Sequence, residues 1–232
     1  MKELDFFYEN LHEKVLNEGA VGFVSTILHK TLELGLSDKN YPSVLELGAG
    51  HGQHFQYVSH KFESYLQTDL VPLWERAKSE LNESNVPAGG GRLTSQRVDA
   101  EDLSSFDENQ FDRVIVTCLL AHLNRPETAL KQWRRVVRDG GLITIYVPSE
   151  PGLLLRLLRT LTTARKLKKN GADARYIQYV DHRNYYITMN ILIKRVFSLD
   201  KIRRKRFPIP CVSWNFSLWD VYQITVSKSS PN

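Results

Sequence analysis

Cysteine is scarce: the 232 residues hold two, Cys118 and Cys211, far apart and without C-x-x-C spacing. That excludes a disulfide framework or a cysteine-built zinc site and suits a reducing cytoplasm, the expected location. No apolar run approaches the ~18 residues of a membrane-spanning helix. Met1–Asp5 carries Lys2, Glu3 and Asp5 where a secretory signal would be apolar. Internal repeats and low-complexity tracts are lacking as well, and the length suits a single α/β domain with an added lid. Acid, finally, is scarce in one stretch. Residues 151–206 hold 15 Lys and Arg against 3 Asp, whereas the remainder holds 16 bases against 23 acids. An acidic domain with a basic insert hints at an anionic substrate or surface, although a solvated face would look the same.

What is present is a concentration of glycine. Val44-Leu45-Glu46-Leu47-Gly48-Ala49-Gly50-His51-Gly52 reads as a buried strand turning sharply into a helix, expected from Gly52 to Phe62. Glycine serves where φ is positive or where a ligand approaches closer than a Cβ allows, and the helix would offer free N–H groups to that ligand. A dinucleotide fingerprint, G-x-G-x-x-G, needs its third glycine one residue beyond Gly52. Glu46, two residues before Gly48, would repel a pyrophosphate but suits a ligand with an ammonium group, such as S-adenosylmethionine. A nucleotide-dependent reductase is the weaker alternative. Asp69 ends a second strand, Ser64–Asp69, 23 residues after Glu46. There a carboxylate can accept two hydrogen bonds from a ribose diol, or cap a helix over Val71–Leu81.

A later block has Phe111-Asp112-Arg113-Val114, then His122-Leu123, Pro126, Ala129-Leu130 and Gly140-Gly141-Leu142. With the glycine turn it resembles the class I S-adenosylmethionine-dependent methyltransferases, particularly the ubiquinone/menaquinone-biosynthesis subgroup, over about Tyr41 to Pro148. The resemblance implies an α/β, Rossmann-like sheet of seven strands, mostly parallel with an antiparallel last strand, helices on both faces. It implies one domain: an N-terminal helical cap (1–40), a cofactor core (41–150), a basic lid (151–200) and a final strand pair (201–232). It assigns the cofactor to Glu46, Gly48, Ala49, Gly50 and Gly52 at the turn, Asp69 and Leu70 at the ribose, Asp99 and Ala100 beside the adenine, and Cys118 after the fourth strand. Tyr8 and His12 in the cap become candidate pocket residues. Thr117-Cys118-Leu119-Leu120 stands where base-amine methylases carry an N/D-P-P-Y/F segment, which disfavours that chemistry. Acidic spacing like that of catechol methyltransferases is not evident, so no metal is expected.

Local signals complete the expectation. A short strand spans Thr94–Val98, and Pro126 starts a helix that Gly140-Gly141 closes as a C-cap pair before a strand over Leu142–Val147. Gly152–Lys169 reads as one helix with Leu154, Leu157, Leu158 and Leu161 on one face. Its Arg156, Arg159, Arg165, Lys166, Lys168 and Lys169 fit either a pocket lid or peripheral contact with an anionic membrane. Tyr176–Tyr186 gathers four tyrosines with Asp181, His182 and Arg183, as an acceptor border or as a hinge packing its rings. Tyr179, Arg183, Tyr185 and Tyr186, with Arg156 and Arg159, are the candidate acceptor residues. A helix over Thr188–Phe197 precedes strands over Ile202–Pro208 and Leu218–Lys228. Arg203-Arg204-Lys205-Arg206 is a weak nucleic-acid signal.

Methyl transfer is an in-line displacement, so the protein supplies alignment and exclusion of water. A hydroxyl acceptor also benefits from a base with pKa near the working pH, and His122 and His182 are the candidates. The expected function is methylation of a small molecule on oxygen or nitrogen, its acceptor anionic or lipid-linked. An RNA methyltransferase, resting on the basic segment, and a non-catalytic methyltransferase-like partner subunit are the alternatives.

Overall fold

The structure, a computed structural model, describes residues 19–71 and 90–228. Tyr8 and His12, most of the expected helix over Val71–Leu81 and the side chain of Tyr179 lie outside the described residues. Strands β1 (Ser43–Leu47), β2 (Ser64–Asp69), β3 (Arg92–Arg97), β4 (Phe111–Val116), β5 (Val137–Pro148), β6 (Lys201–Phe207) and β7 (Trp219–Thr225) make one sheet, ordered β3-β2-β1-β4-β5-β7-β6. The first five run parallel. β7 runs antiparallel between β5 and β6, so the expected mostly parallel sheet with a reversed last strand is present. The helices are α1 (Gly19–Leu32), α2 (Pro126–Val136), α3 (Leu153–Leu161), α4 (Thr163–Lys169), α5 (Ala174–Asp181) and α6 (Tyr186–Val196).

Central parallel strands must be apolar on both faces. Leu45, Leu47, Val114, Val116, Ile143 and Ile145 face one way, onto Leu130 and Trp133 of α2 and Met189 and Ile193 of α6. On the other face Leu28 and Leu32 of α1 cover Tyr146, Trp219 and Val221. The strand order reverses between β1 and β4, which opens a crevice at the carboxyl ends of these strands.

The α1 face also buries charge. Arg113 of β4, fully buried, donates from Nη1 and Nη2 to Glu33 at 3.0 and 2.6 Å and from Nη2 to Thr144 at 3.3 Å. His54, just past the glycine turn, bonds Glu33 through Nε2 and His29 of α1 through Nδ1, both at 3.1 Å. Burial alone would raise the Glu33 carboxyl, but Arg113 beside it and the His54 bond hold it well below its ordinary range. His29 is pushed down to about 3, first by burial and then by His54, so it is neutral at pH 7. Glu33 thus ties α1, the sheet and the turn together.

Several expected elements are redrawn. The helix over Gly52–Phe62 is absent; a single 3₁₀ turn, Phe55–Tyr57, takes its place. His54 is drawn down to Glu33 and His29, and Phe55 packs edge-on to Phe62 and Tyr65, which holds the chain out of helical register. The Gly140-Gly141 pair is no C-cap, because α2 passes directly into β5 at Val137. The pair forms a bulge, with Gly140 at φ 70° and its N–H on the Val226 carbonyl. The helix over Gly152–Lys169 breaks at Thr162, whose hydroxyl donates to the Leu158 carbonyl at 2.7 Å. Its leucines do not share a face either. Leu154 and Leu158, with Leu155, turn inward, while Leu157 and Leu161 are exposed.

Candidate active site

Two groups of residues meet the crevice. The first is the glycine turn. Gly48, Gly50 and Gly52 have φ of 70°, 55° and 77°, a region open to glycine and strained for other residues. A Cβ on Gly48 would press on Leu119 at 3.1 Å, and one on Gly52 would meet Gln67 Oε1 at 2.9 Å. Asp69, at the end of β2, closes the turn: Oδ2 accepts from Gly50 N at 2.9 Å and Oδ1 from Val71 N at 3.0 Å. Each oxygen keeps a second lone pair. Leu70 beside it is exposed. Asp99 accepts from Glu101 N at 2.9 Å in a tight turn, and Ala100 is buried with its carbonyl on Trp133 Nε1. Glu46 is fully buried. Its Oε2 accepts from Tyr65 at 2.8 Å, while Oε1 has no hydrogen-bond partner. Burial pushes this carboxyl up, opposed by His54 and by the Tyr65 donor.

The second group forms after β4 and β5. Cys118, at φ 50°, opens the β4 loop that carries His122. Glu150 follows β5 and is almost wholly buried, yet it carries two partners: Arg159 Nη1 at 2.6 Å on Oε1, and the His182 ring through Nδ1 on Oε2. His122 Nδ1 lies 3.1 Å from Asp181 Oδ2. The two imidazoles meet edge to face, centroids 4.6 Å apart. Two histidine–carboxylate pairs therefore sit side by side. Burial pushes His182 below its ordinary value of 6.5, and Glu150 pulls it part of the way back.

Backbone stitching sets this geometry. The N–H groups of Arg183 and Asn184 both donate to the Ala121 carbonyl, and the Asn184 amide donates to the Leu120 and Leu123 carbonyls. Tyr186 N donates to the Glu150 carbonyl at 2.8 Å. The segment after α5 is thus clamped onto the loops that follow β4 and β5. Glu150 and Asn184 are missing from the sequence reading. A lone acid at the carboxyl edge of the longest strand is the signal that could have found Glu150.

The other acceptor candidates divide. Arg159 belongs to the cluster through Glu150. Arg156 and Arg183 are exposed, and the Tyr185 side chain is half-buried at the start of α6. Tyr186 is not an acceptor residue: its ring is buried against Trp214, and its hydroxyl donates to Asp220 at 2.6 Å while accepting from Arg206. Arg206 also holds Asp220, Arg204 lies 3.8 Å from the same carboxylate, and Lys205 Nζ donates to the Leu34 carbonyl at 2.9 Å, so three of the four residues of the basic Arg203–Arg206 run have partners within the protein.

Residues 45–145 match the family model of a methyltransferase domain. Across 151 residues the chain is 30% identical to the ubiquinone/menaquinone biosynthesis C-methyltransferase UbiE of Ectopseudomonas mendocina, covering 58% of this chain and 56% of that protein. Over residues 45–145 the chain is thus similar to methyltransferase domains. In fold it superposes on the CurJ carbon methyltransferase, with a TM-score of 0.62, 17% identity, and coverage of 95% of this chain and 59% of that one. An S-adenosylmethionine-dependent methyltransferase from Thermotoga maritima gives a TM-score of 0.58, 15% identity, and coverage of 96% and 99%. The chain spans about half the length of the UbiE relative.

The glycine turn fits S-adenosylmethionine. Gly50 leaves open space at the turn, and the unbonded Glu46 Oε1 is a buried acceptor that an ammonium donor would satisfy. Asp69, with both oxygens already on backbone N–H groups, keeps one lone pair on each for a further donor. The expected helix N–H groups do not contribute, because that helix does not form and Gly52 N is spent on the Ala49 carbonyl at 2.8 Å. His122, Asp181 and His182 form a set whose ligand atoms lie within 4.8 Å of one another, enough to hold a metal ion. Among the described residues no helix is long and apolar enough to cross a membrane.

Proposed function

We propose that the protein methylates a hydroxyl group of a small, anionic or lipid-linked acceptor. The observation that carries this reading is the pair of histidine–carboxylate couples meeting edge to face where β4 and β5 end. An amine acceptor needs only to be unprotonated and would have no use for them. When bound, S-adenosylmethionine supplies the electrophilic methyl group. The chain's own residues do the rest. Glu46, the glycine turn and Asp69 hold the cofactor. Glu150 accepts from His182 Nδ1–H, which leaves Nε2 as the proton acceptor for the hydroxyl, and the ionised Glu150 offsets the imidazolium that forms. Arg159 holds Glu150 in place. His122, with Asp181 Oδ2 3.1 Å from its Nδ1, faces the acceptor oxygen.

The C-methyltransferase name of the UbiE relative supports a second acceptor atom. Removing a phenolic proton also makes the adjacent ring carbon nucleophilic, so the same base serves transfer to carbon. The chemistry requires no metal in this reading, since the His182 ring is already oriented by Glu150. Labelled methyl transfer from S-adenosylmethionine to panels of phenols, hydroxy acids and amines, in the presence of EDTA, is the test. Label is expected in hydroxyl compounds, on oxygen or the adjacent carbon, undiminished by the chelator. Transfer to amines alone, or transfer that needs added metal, would overturn the proposal.

A further inference from the structure

Residues 151–172 contain six Lys and Arg and no Asp or Glu. Within them α3 has leucines on both sides. Leu154, Leu155 and Leu158 pack on the cluster formed by α1 and the sheet, and that contact closes the core. Leu153, Leu157 and Leu161, spaced one turn apart on the outer side, remain 61%, 58% and 47% exposed. The short turn Trp214–Phe216 packs against α3, and its Phe216 is 57% exposed as well. Arg156 on α3 and Arg165, Lys168 and Lys169 on α4 are exposed, and none of the four makes an ion pair among the described residues. Exposed leucines on α3, with exposed cations on the same helix and the next, form a patch with a use outside the molecule.

We propose that the outer face of α3 and α4 docks the protein on an anionic phospholipid bilayer, with the helices lying in the headgroup plane. The occupant follows from the combination of residues. A second copy of the chain would bring two acid-free cationic segments together, and a nucleic acid would gain nothing from a row of leucines. A bilayer answers both features, the leucines entering the acyl boundary and the cations meeting lipid phosphates. The placement also has a consequence for the proposed reaction. Arg159, on the same helix, reaches Glu150, so docking sets the acceptor site beside the bilayer, where a lipid-linked acceptor resides.

Vesicle co-sedimentation without acceptor tests the docking apart from the chemistry, so a failure here leaves the methyl-transfer reading untouched. The expected result is binding to phosphatidylcholine vesicles containing phosphatidylglycerol, and roughly tenfold less to pure phosphatidylcholine. Leu157→Ser with Leu161→Ser, and separately Lys168→Glu with Lys169→Glu, each weaken binding by about tenfold. Both variants should keep the parent's melting temperature within about 2 °C, because the sites are exposed. Equal binding to both vesicle types overturns the proposal. So does a leucine variant that binds as well as the parent, which would mark a plain polyanion site. A concentration-dependent dimer that the leucine substitutions abolish, without vesicle binding, would assign the face to a second copy.

Discussion

Replacing Arg113 by methionine is expected to destabilise the protein by about 3–5 kcal/mol, the cost of stranding a buried carboxylate when its cation is removed. For a chain of this size that is a fall of roughly 10 °C in melting temperature. Glu33 would keep its His54 and Ser59 contacts but lose two guanidinium donors at 3.0 and 2.6 Å. The origin of the loss is testable by a double-mutant cycle. Glu33→Gln combined with Arg113→Met removes the uncompensated charge and should recover part of the stability, whereas strict additivity of the two substitutions would show that the pair is not coupled. The cofactor turn should feel the change too, because His54 hangs from Glu33 and links the turn to α1 through His29.

His182→Ala is expected to lower kcat by about 10²–10⁴, the range for a positioned general base, with cofactor affinity retained. The pH profile distinguishes this role from simple structural loss. A base must be neutral to accept a proton, so the rate should fall as pH drops through the His182 pKa. Burial sets that value below 6.5 and Glu150 raises it part of the way back. The acid limb is therefore expected below pH 6.5. In Glu150→Gln, with the carboxylate's upward pull removed, it should move further down while kcat falls by a smaller factor than in His182→Ala. A limb above pH 6.5, or one that moves upward in Glu150→Gln, would contradict the assignment.

The contrast between these two centres shows what the chain announces and what it conceals. The glycine turn is legible because its constraints are local: positive φ at Gly48, Gly50 and Gly52 demands glycine within five residues, and Asp69 ends the neighbouring strand. The sheet is legible for a similar reason, since β1, β4 and β5 are buried on both faces and read as apolar runs. Glu33 and Arg113 stand 80 residues apart, and His182 and Glu150 stand 32 apart. No periodicity or motif joins such pairs; the sheet and the Asn184 clamp do. Local signals also mislead where tertiary contacts prevail. The Gly52–Phe62 segment loses its helix to the Glu33 network and the Phe55 aromatic cluster, and Gly140-Gly141 becomes a bulge because β5 starts before it. In α3 the leucine pattern is visible, but which leucines face outward depends on where α1 lies.

Isothermal titration with S-adenosylmethionine, beside NADH, and on both the parent protein and Asp69→Ala, tests the central claim most directly. Selective binding of S-adenosylmethionine is expected, and it should weaken by at least about tenfold in Asp69→Ala, which lacks the carboxylate proposed to accept from the ribose diol. Binding of NADH with no S-adenosylmethionine affinity, or S-adenosylmethionine binding indifferent to Asp69, would contradict the account.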